Sequence, residues 1–194
     1  LLSVQLHESA LNNMAASLGL RGRRCELRSL FREVAAKFGQ TNYVVPEEVP
    51  EDVLIQMADE EPIRFLIDGD RVEIKVRIAT LSNGRKQTWK NFEVRAVYGP
   101  HADGLHVQVV RDGYINLKGK RLSLRDQVAL RGIFSKVLAQ RPDIDFTQRL
   151  AEDPRLKDMG VLQYVMRDGW VGLSLGLRRP GSARMRLADE RGSQ

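Results

Sequence analysis

The residues most able to carry chemistry in this sequence are its three histidines and its single cysteine. His7 precedes Glu8, as in the helix of a zinc protease, but Leu11 stands where the second histidine ligand would be needed. His101 and His106 flank an Asp-Gly turn, and two imidazoles without a third ligand nearby in the sequence are weak grounds for a metal site. We therefore predict no metal site and no cofactor.

Cys25 lies near the start of a predicted helix, a position that can favour a thiolate. No histidine is near it in the sequence, so we interpret Cys25 as a small residue on a helix face and not as a nucleophile. Neither a glycine-rich phosphate loop nor a Gly-x-Ser-x-Gly elbow occurs in the sequence. We assign no catalytic residue, and the sequence leans away from an enzyme.

Charge is segregated along the chain, although the formal net charge is only +6. Residues 41–70 hold nine acidic side chains against Arg64 alone, and residues 111–141 hold eight basic ones against Asp112 and Asp126. The basic segment could bind phosphates or another anionic surface. The alternative is that the two segments neutralise each other or are solvated, and the small number of aromatic residues within the basic segment favours it.

Candidate residues for binding a ligand or partner come from this basic segment and from three aromatic residues that could stack on a ligand. The set is Trp89, Tyr114, Lys118, Lys120, Arg121, Arg131 and Trp170. The three aromatic residues could stack on bases or ligands, or they could cover the sheet, which is the favoured interpretation. Arg131 could contact an anion if buried, or its stem could pack while its head reaches solvent, and we favour the second.

Apolar periodicity predicts three helices. The first is capped by Ser9 and ends at Gly19, the second runs from Arg24 to Phe38, and the third follows Ser123 and extends to about Gln140. Apolar residues cover well over half of the third helix's circumference. This pattern predicts that the third helix is buried on two sides.

Five Asx-Gly pairs adjoin segments in which apolar and polar residues alternate, as expected of β-hairpins. Alternation predicts a sheet with one buried face, and an earlier alternating segment at residues 2–6 predicts a short edge strand. The predicted fold is therefore α+β, with an antiparallel, hairpin-linked meander sheet and about three helices packed on one side.

We predict a single domain over residues 1–180, with a helical part at 1–40 and a sheet-rich part at 53–178. Residues 41–52 contain Pro46 and Pro50 and are predicted to be an extended connector. Residues 181–194 are rich in Arg, Gly and Ser and are predicted to be a mobile tail. No segment has the roughly 20 consecutive apolar residues of a membrane-spanning helix.

The segment from Val4 to Asn13, followed by the Leu-x-Gly step from Leu20 to Gly22, resembles modules near the C-terminus of very large planctomycete bacterial proteins. The resemblance covers about the first fifth of the chain and brings no known activity or site residues. It implies a domain of a larger chain located in the cell envelope or exported. Without it, the expected location is the cytoplasm.

Three functions remain open at this point. The first is an interaction or structural module of a larger protein, whose partner is the rest of that chain or another protein. The second is a carrier that holds an apolar or amphipathic ligand in a cavity between sheet and helix. The third is binding of nucleic acid, which is disfavoured, or of an anionic surface through residues 111–141.

Overall fold

The structure is a computed structural model that describes residues 2–37, 43–84, 87–103, 106–139 and 159–177. Within these ranges it confirms the predicted α+β class, with three helices and two antiparallel sheets. The predicted tail at 181–194 lies outside the described residues. The elements in chain order are β1 (Leu2–His7), α1 (Glu8–Ala16), β2 (Arg24–Glu26), α2 (Leu27–Lys37), β3 (Val53–Met57), β4 (Ile63–Asp68), β5 (Arg71–Asn83), β6 (Gln87–Asp103), β7 (His106–Arg111), β8 (Asn116–Gly119), α3 (Leu124–Val137), β9 (Met159–Arg167) and β10 (Trp170–Leu177).

The larger sheet is built on β5 and β6, which pair with each other along most of β5. Strands β4 to β7 follow one another in antiparallel order and form the predicted meander. Because β5 and β6 are long, each of them also pairs with two further strands. β3 pairs with the second half of β5, β8 pairs with the middle of β6, and β2 lies beside β3.

Asx-Gly pairs mark the turns of this sheet, but one of them does not close a hairpin. Gly69 and Gly84 have φ values of +58° and +56°, in the left-handed region that glycine tolerates best. Asp112 and Gly113 instead connect β7 to β8, which both pair with β6 and not with each other. The hairpin expected there does not form, because a turn signal does not specify which strand each flanking segment will pair with.

The last predicted hairpin belongs to a second, smaller sheet and does not extend the meander. β9 and β10 are joined through Asp168 and Gly169, whose φ values of +51° and +81° suit a two-residue hairpin turn. β1 pairs antiparallel with β10 as an edge strand, as its alternation predicts. Val161, Tyr164 and Leu175 form the small core of this sheet. The predicted helical part at 1–40 therefore contributes a strand to each sheet.

α1 lies at the junction of the two sheets and covers the edge of β4. The Asn12 side chain donates a hydrogen bond to the Phe65 carbonyl at 2.9 Å and accepts one from the Phe65 amide at 2.8 Å. The Glu8 carboxylate accepts a hydrogen bond from the Ile67 amide at 2.7 Å. These side chains occupy the edge where another strand would otherwise pair, so α1 fastens the small sheet to the large one.

The ends of two predicted helices differ from the structure. The N-cap of α1 is His7, whose Nδ1 accepts a hydrogen bond from the Ser9 amide at 3.2 Å, so Ser9 lies inside the helix. The second predicted helix starts later, because residues 24–26 pair with β3 as a strand. Its predicted last residue, Phe38, lies outside the described residues. The first difference is a local cap two positions apart, whereas in the second a tertiary contact with β3 overrides the local helix signal.

The main core lies between the larger sheet and the helices α2 and α3. The apolar faces of β5 and β6 meet Leu27 and Leu30 of α2 and Phe134 of α3. The connector also enters this core, since Val45 and Val49 are only 4% and 0% exposed. Residues 43–52 form no helix or strand, and these two side chains join the helical and sheet-rich parts through shared packing.

None of the helices in the described ranges combines the length and apolar character that crossing a membrane requires.

Tyr98 of β6 provides a test of this core at alkaline pH. Burial raises the pKa of Tyr98 to about 12, against an opposing effect of Arg111. A folded-state pKa above the unfolded value of 10.0 means that the neutral phenol stabilises the fold fully below pH 10. That contribution is lost as the pH rises to about 12. We expect the urea midpoint of Tyr98→Phe to fall less steeply than that of the wild type over this interval.

The matched control is Tyr114→Phe, because the Tyr114 side chain is 92% exposed. Burial also raises the pKa of Tyr164. The decrease of the urea midpoint with pH should therefore be smaller in Tyr98→Phe than in the wild type, but not zero. Parallel curves for Tyr98→Phe and the wild type would contradict the assignment.

Candidate functional site

The turn between β8 and α3 fixes the direction in which α3 leaves the sheet. The Ser123 hydroxyl accepts a hydrogen bond from the Asp126 amide at 3.2 Å, and the Asp126 carboxylate accepts one from the Ser123 amide at 3.0 Å. This is the capping box that the sequence indicates. A Cβ at Gly119 would come within 3.0 Å of Leu122 and Phe92, so the turn lies close against the sheet. The solvent-facing side of α3 is oriented by these contacts.

Trp89 anchors the start of α3 from the sheet. Its side chain is 5% exposed, and its Nε1 donates a hydrogen bond to Oδ1 of Asp126 at 2.9 Å. Hydrogen bonds from Ser123 and Trp89 hold the pKa of Asp126 below its ordinary value. A buried indole has no free face for stacking on a base or a ligand. The structure therefore gives Trp89 a positioning role within the fold.

The side of α3 that faces away from the sheet carries exposed apolar residues. Phe134 and Leu130 are fully buried, whereas Leu124 and Val128 are 82% and 69% exposed. The expectation of a helix buried on two sides is wrong, because α3 contacts the sheet on one side only. Leu124 and Val128 are four positions apart and are neighbours on the helix surface.

The segment leading into β8 runs beside the same side of α3. The Arg131 Nε donates a hydrogen bond to the Ile115 carbonyl at 3.2 Å, and the residue as a whole is exposed. Tyr114, the residue before Ile115, is 92% exposed. Arg131 is thus an exposed cation and not a buried one, and the Ile115 carbonyl accepts one of its hydrogen bonds.

Four cations lie around these apolar side chains. Lys120 and Arg121 are exposed in the turn, and Arg125 and Arg131 are exposed on the helix. No carboxylate of the described residues lies within the 4.0 Å ion-pair distance of any of the four. We call this surface the α3 face, and it consists of Tyr114, Lys120, Arg121, Leu124, Arg125, Val128 and Arg131.

Two cations at the centre of the larger sheet, Arg77 and Arg95, are paired with carboxylates, unlike the four cations of the α3 face. Arg77 binds Glu61 at 3.3 Å and Glu93 at 3.2 Å. Arg95 binds Glu93 and also Glu73, the latter at 3.5 Å. Burial raises the pKa of Glu93, but hydrogen bonds from Arg95 and Arg77 together outweigh burial and leave it below its ordinary value. This network neutralises most of its own charge.

Lys118 lies on the side of the sheet that carries this network and not on the α3 face. It lies in register with Glu93, while its neighbour Leu117 is buried, so Lys118 points away from α3. It lines an open groove of about 340 Å³ together with Arg77, Glu93 and Asn91. Of the sequence candidates, Lys120 and Arg121 thus lie in the turn before α3, Arg131 lies on α3, and Tyr114 adjoins Ile115, whereas Lys118 lies on the other surface.

Trp170 lies in the small sheet, at the turn that precedes β10. It is 48% exposed, and its ring centroid lies 4.7 Å from that of His7. This contact covers part of the indole. Trp170 belongs to the small sheet and is therefore not part of the α3 face. The candidate aromatic residues are thus dispersed, and Tyr114 alone among the three belongs to the α3 face.

Side chains fill the space between α3 and the larger sheet, where the carrier hypothesis requires a cavity. The Phe134 ring lies edge-on to that of Phe92, with centroids 6.3 Å apart, and Leu130 and Val94 are fully buried beside them. In this part of the described structure, core packing occupies the space that a ligand would need.

The histidines and the cysteine form no chemical centre in the described ranges. No group of three or more His, Cys, Asp or Glu side chains there could hold a metal ion. The side chain of His106 lies outside the described part. Cys25 lies in β2 and not in a helix, and burial raises the pKa of its thiol, which disfavours the thiolate.

The set of sequence-based candidates omits Arg125 and both aliphatic members of the α3 face, Leu124 and Val128. The available signal is the width of the apolar sector of α3, which exceeds what contact with one sheet requires. That width predicts burial on two sides, but it instead reflects apolar side chains that are exposed. Comparison with protein-family models and with curated proteins finds no match to this sequence.

Proposed function

We propose that this chain is an interaction module that docks onto an anionic partner through the α3 face. The observation that carries the proposal is the combination of exposed Leu124 and Val128 with four cations that have no ion-pair partner among the described residues. The proposal combines the interaction-module hypothesis with the third hypothesis, binding of an anionic surface through residues 111–141. The packing of Phe134 and Leu130 makes the ligand-carrier alternative less favoured at this position.

Both parts of the α3 face are explained by a bound partner. Covering exposed apolar side chains with a partner removes them from water, which lowers the free energy of the complex. Clustered cations raise the rate of encounter with an anionic surface and fix its orientation, and both effects weaken with salt. Only one ion pair of the described residues, Lys136 with Glu48 at 3.8 Å, links the basic and acidic segments. The acidic segment therefore leaves the cations of the α3 face available.

Charge reversal tests the proposal. The variant Arg121→Glu/Arg125→Glu changes two exposed side chains of the α3 face, so we expect it to fold normally. Its binding to anionic vesicles, single-stranded RNA or polyglutamate should fall at least tenfold at about 50 mM salt, because each cation contributes roughly 1 kcal/mol at an anionic surface. Affinity is measured by co-sedimentation for vesicles and by fluorescence anisotropy for the other two probes.

The matched control is Arg21→Glu/Arg32→Glu, which alters the net charge equally at exposed positions near α1 and on α2. We expect the control to retain most of the wild-type affinity. If the wild type binds none of the three probes at low salt, the proposal is wrong. Equal losses in both double variants would show that net charge matters and the α3 face does not.

A further inference from the structure

We propose that the anionic partner is a lipid surface, and that α3 lies along it with Leu124 and Val128 inserted at the boundary between headgroups and acyl chains. This inference rests on the proposed function and specifies its partner. It is carried by the position of apolar and cationic side chains on one outward side of a helix whose opposite side is fixed in the core.

The helix geometry favours shallow insertion. Buried Leu130, Phe134 and Val137 hold α3 against the sheet, so the helix cannot leave the fold to enter a bilayer. Leu124 and Val128 then project from a helix that lies parallel to the surface, as in interfacial amphipathic helices. Their exposure of 82% and 69% means that most of each side chain is free to contact lipid.

Tyr114 and the cations suit the headgroup layer. A tyrosine ring is apolar with a polar tip, and such side chains concentrate at the membrane interface. Arg125 and Arg131 lie on the same helix as the two apolar side chains, and their long stems can reach phosphate groups while the helix stays at the surface. Lys120 and Arg121 extend the positive charge to the turn.

Nucleic acid fits the α3 face less well. Binding of single strands combines cations with aromatic platforms, but Trp89 is buried and Trp170 lies in the other sheet. A sugar-phosphate backbone offers no apolar surface for Leu124 and Val128. An acidic protein could supply both charge and apolar contact, and it is an alternative outcome of the test below.

The test keeps the charge constant and removes the apolar contact. We expect the wild type to co-sediment with phosphatidylcholine vesicles that contain phosphatidylserine and not with phosphatidylcholine alone. The variant Leu124→Gln/Val128→Gln should bind the anionic vesicles at least tenfold more weakly. Its control is Val44→Gln/Leu177→Gln, which alters two apolar side chains that are 81% and 72% exposed at other places, and which should bind as the wild type does.

The possible outcomes separate this inference from the proposed function. Unchanged vesicle binding by Leu124→Gln/Val128→Gln overturns the insertion of these side chains. If the wild type binds polyglutamate or RNA but not anionic vesicles, the lipid partner is wrong while the proposed function stands. If it binds no anionic probe at low salt, both fail.

Discussion

Replacing Phe134 by alanine is expected to lower the free energy of unfolding by about 3 to 5 kcal/mol. The Phe134 side chain is completely buried between α3 and the larger sheet, where its ring contacts that of Phe92. Alanine would leave a cavity that the surrounding strands can fill only in part. Urea unfolding followed by circular dichroism measures the change, which we expect as a lower midpoint with a similar slope.

Leu124→Ala is the control for this substitution because it removes an apolar side chain from the same helix. Leu124 is 82% exposed, so its loss should change the free energy of unfolding by less than about 0.5 kcal/mol. The two substitutions should therefore have different effects: Phe134→Ala should lower stability, and Leu124→Ala should weaken partner binding. Similar losses of stability in both variants would contradict the one-sided burial of α3.

Replacing Asn12 by leucine is expected to lower the free energy of unfolding by about 2 to 4 kcal/mol, since each hydrogen bond lost at a partly buried backbone group costs roughly 1 to 3 kcal/mol. Asn12 makes two such hydrogen bonds to Phe65, and leucine can make neither. We also expect faster amide hydrogen exchange along β4, because its outer edge loses its cover.

Asn13→Leu provides the comparison at the neighbouring position. The Asn13 side chain is exposed, and its substitution leaves the contact between α1 and β4 intact. We expect little loss of stability and unchanged exchange along β4. If Asn12→Leu unfolds at the same urea concentration as Asn13→Leu, the fastening role of α1 has to be abandoned.

Local signals predicted the parts of the fold that neighbouring residues determine. The Asp168-Gly169 turn and the Ser123 cap follow from residues within a few positions of each other, and both occur in the structure. The strand at 24–26 depends instead on pairing with the distant strand β3. Pairing of β1 with β10 is also non-local, so no pattern within either strand could indicate that the chain forms two sheets.

The candidate site was also predicted only in part, because residue types can be read from the sequence but contacts between distant residues cannot. Exposed cations at 120, 121 and 131 could be recognised by residue type. The role of Trp89 could not, because it depends on Asp126, which is 37 positions away. Leu124 and Phe134 are both large apolar residues of one helix. Only the position of the sheet distinguishes the one that is buried from the one that faces solvent.

The small sheet has a consequence for how the protein is made. Ser3 of β1 and Ser174 of β10 lie 3.2 Å apart through their hydroxyl groups, although 171 positions separate them in the chain. As the ribosome releases the chain from its N-terminus, the meander can form while β1 still lacks its partner, since β10 is translated much later. Until then, Leu2, Val4 and Leu6 remain on an unpaired strand of the nascent polypeptide. During this interval the backbone of β1 lacks the hydrogen bonds that β10 later supplies, so the small sheet cannot form before the end of β10 has been translated.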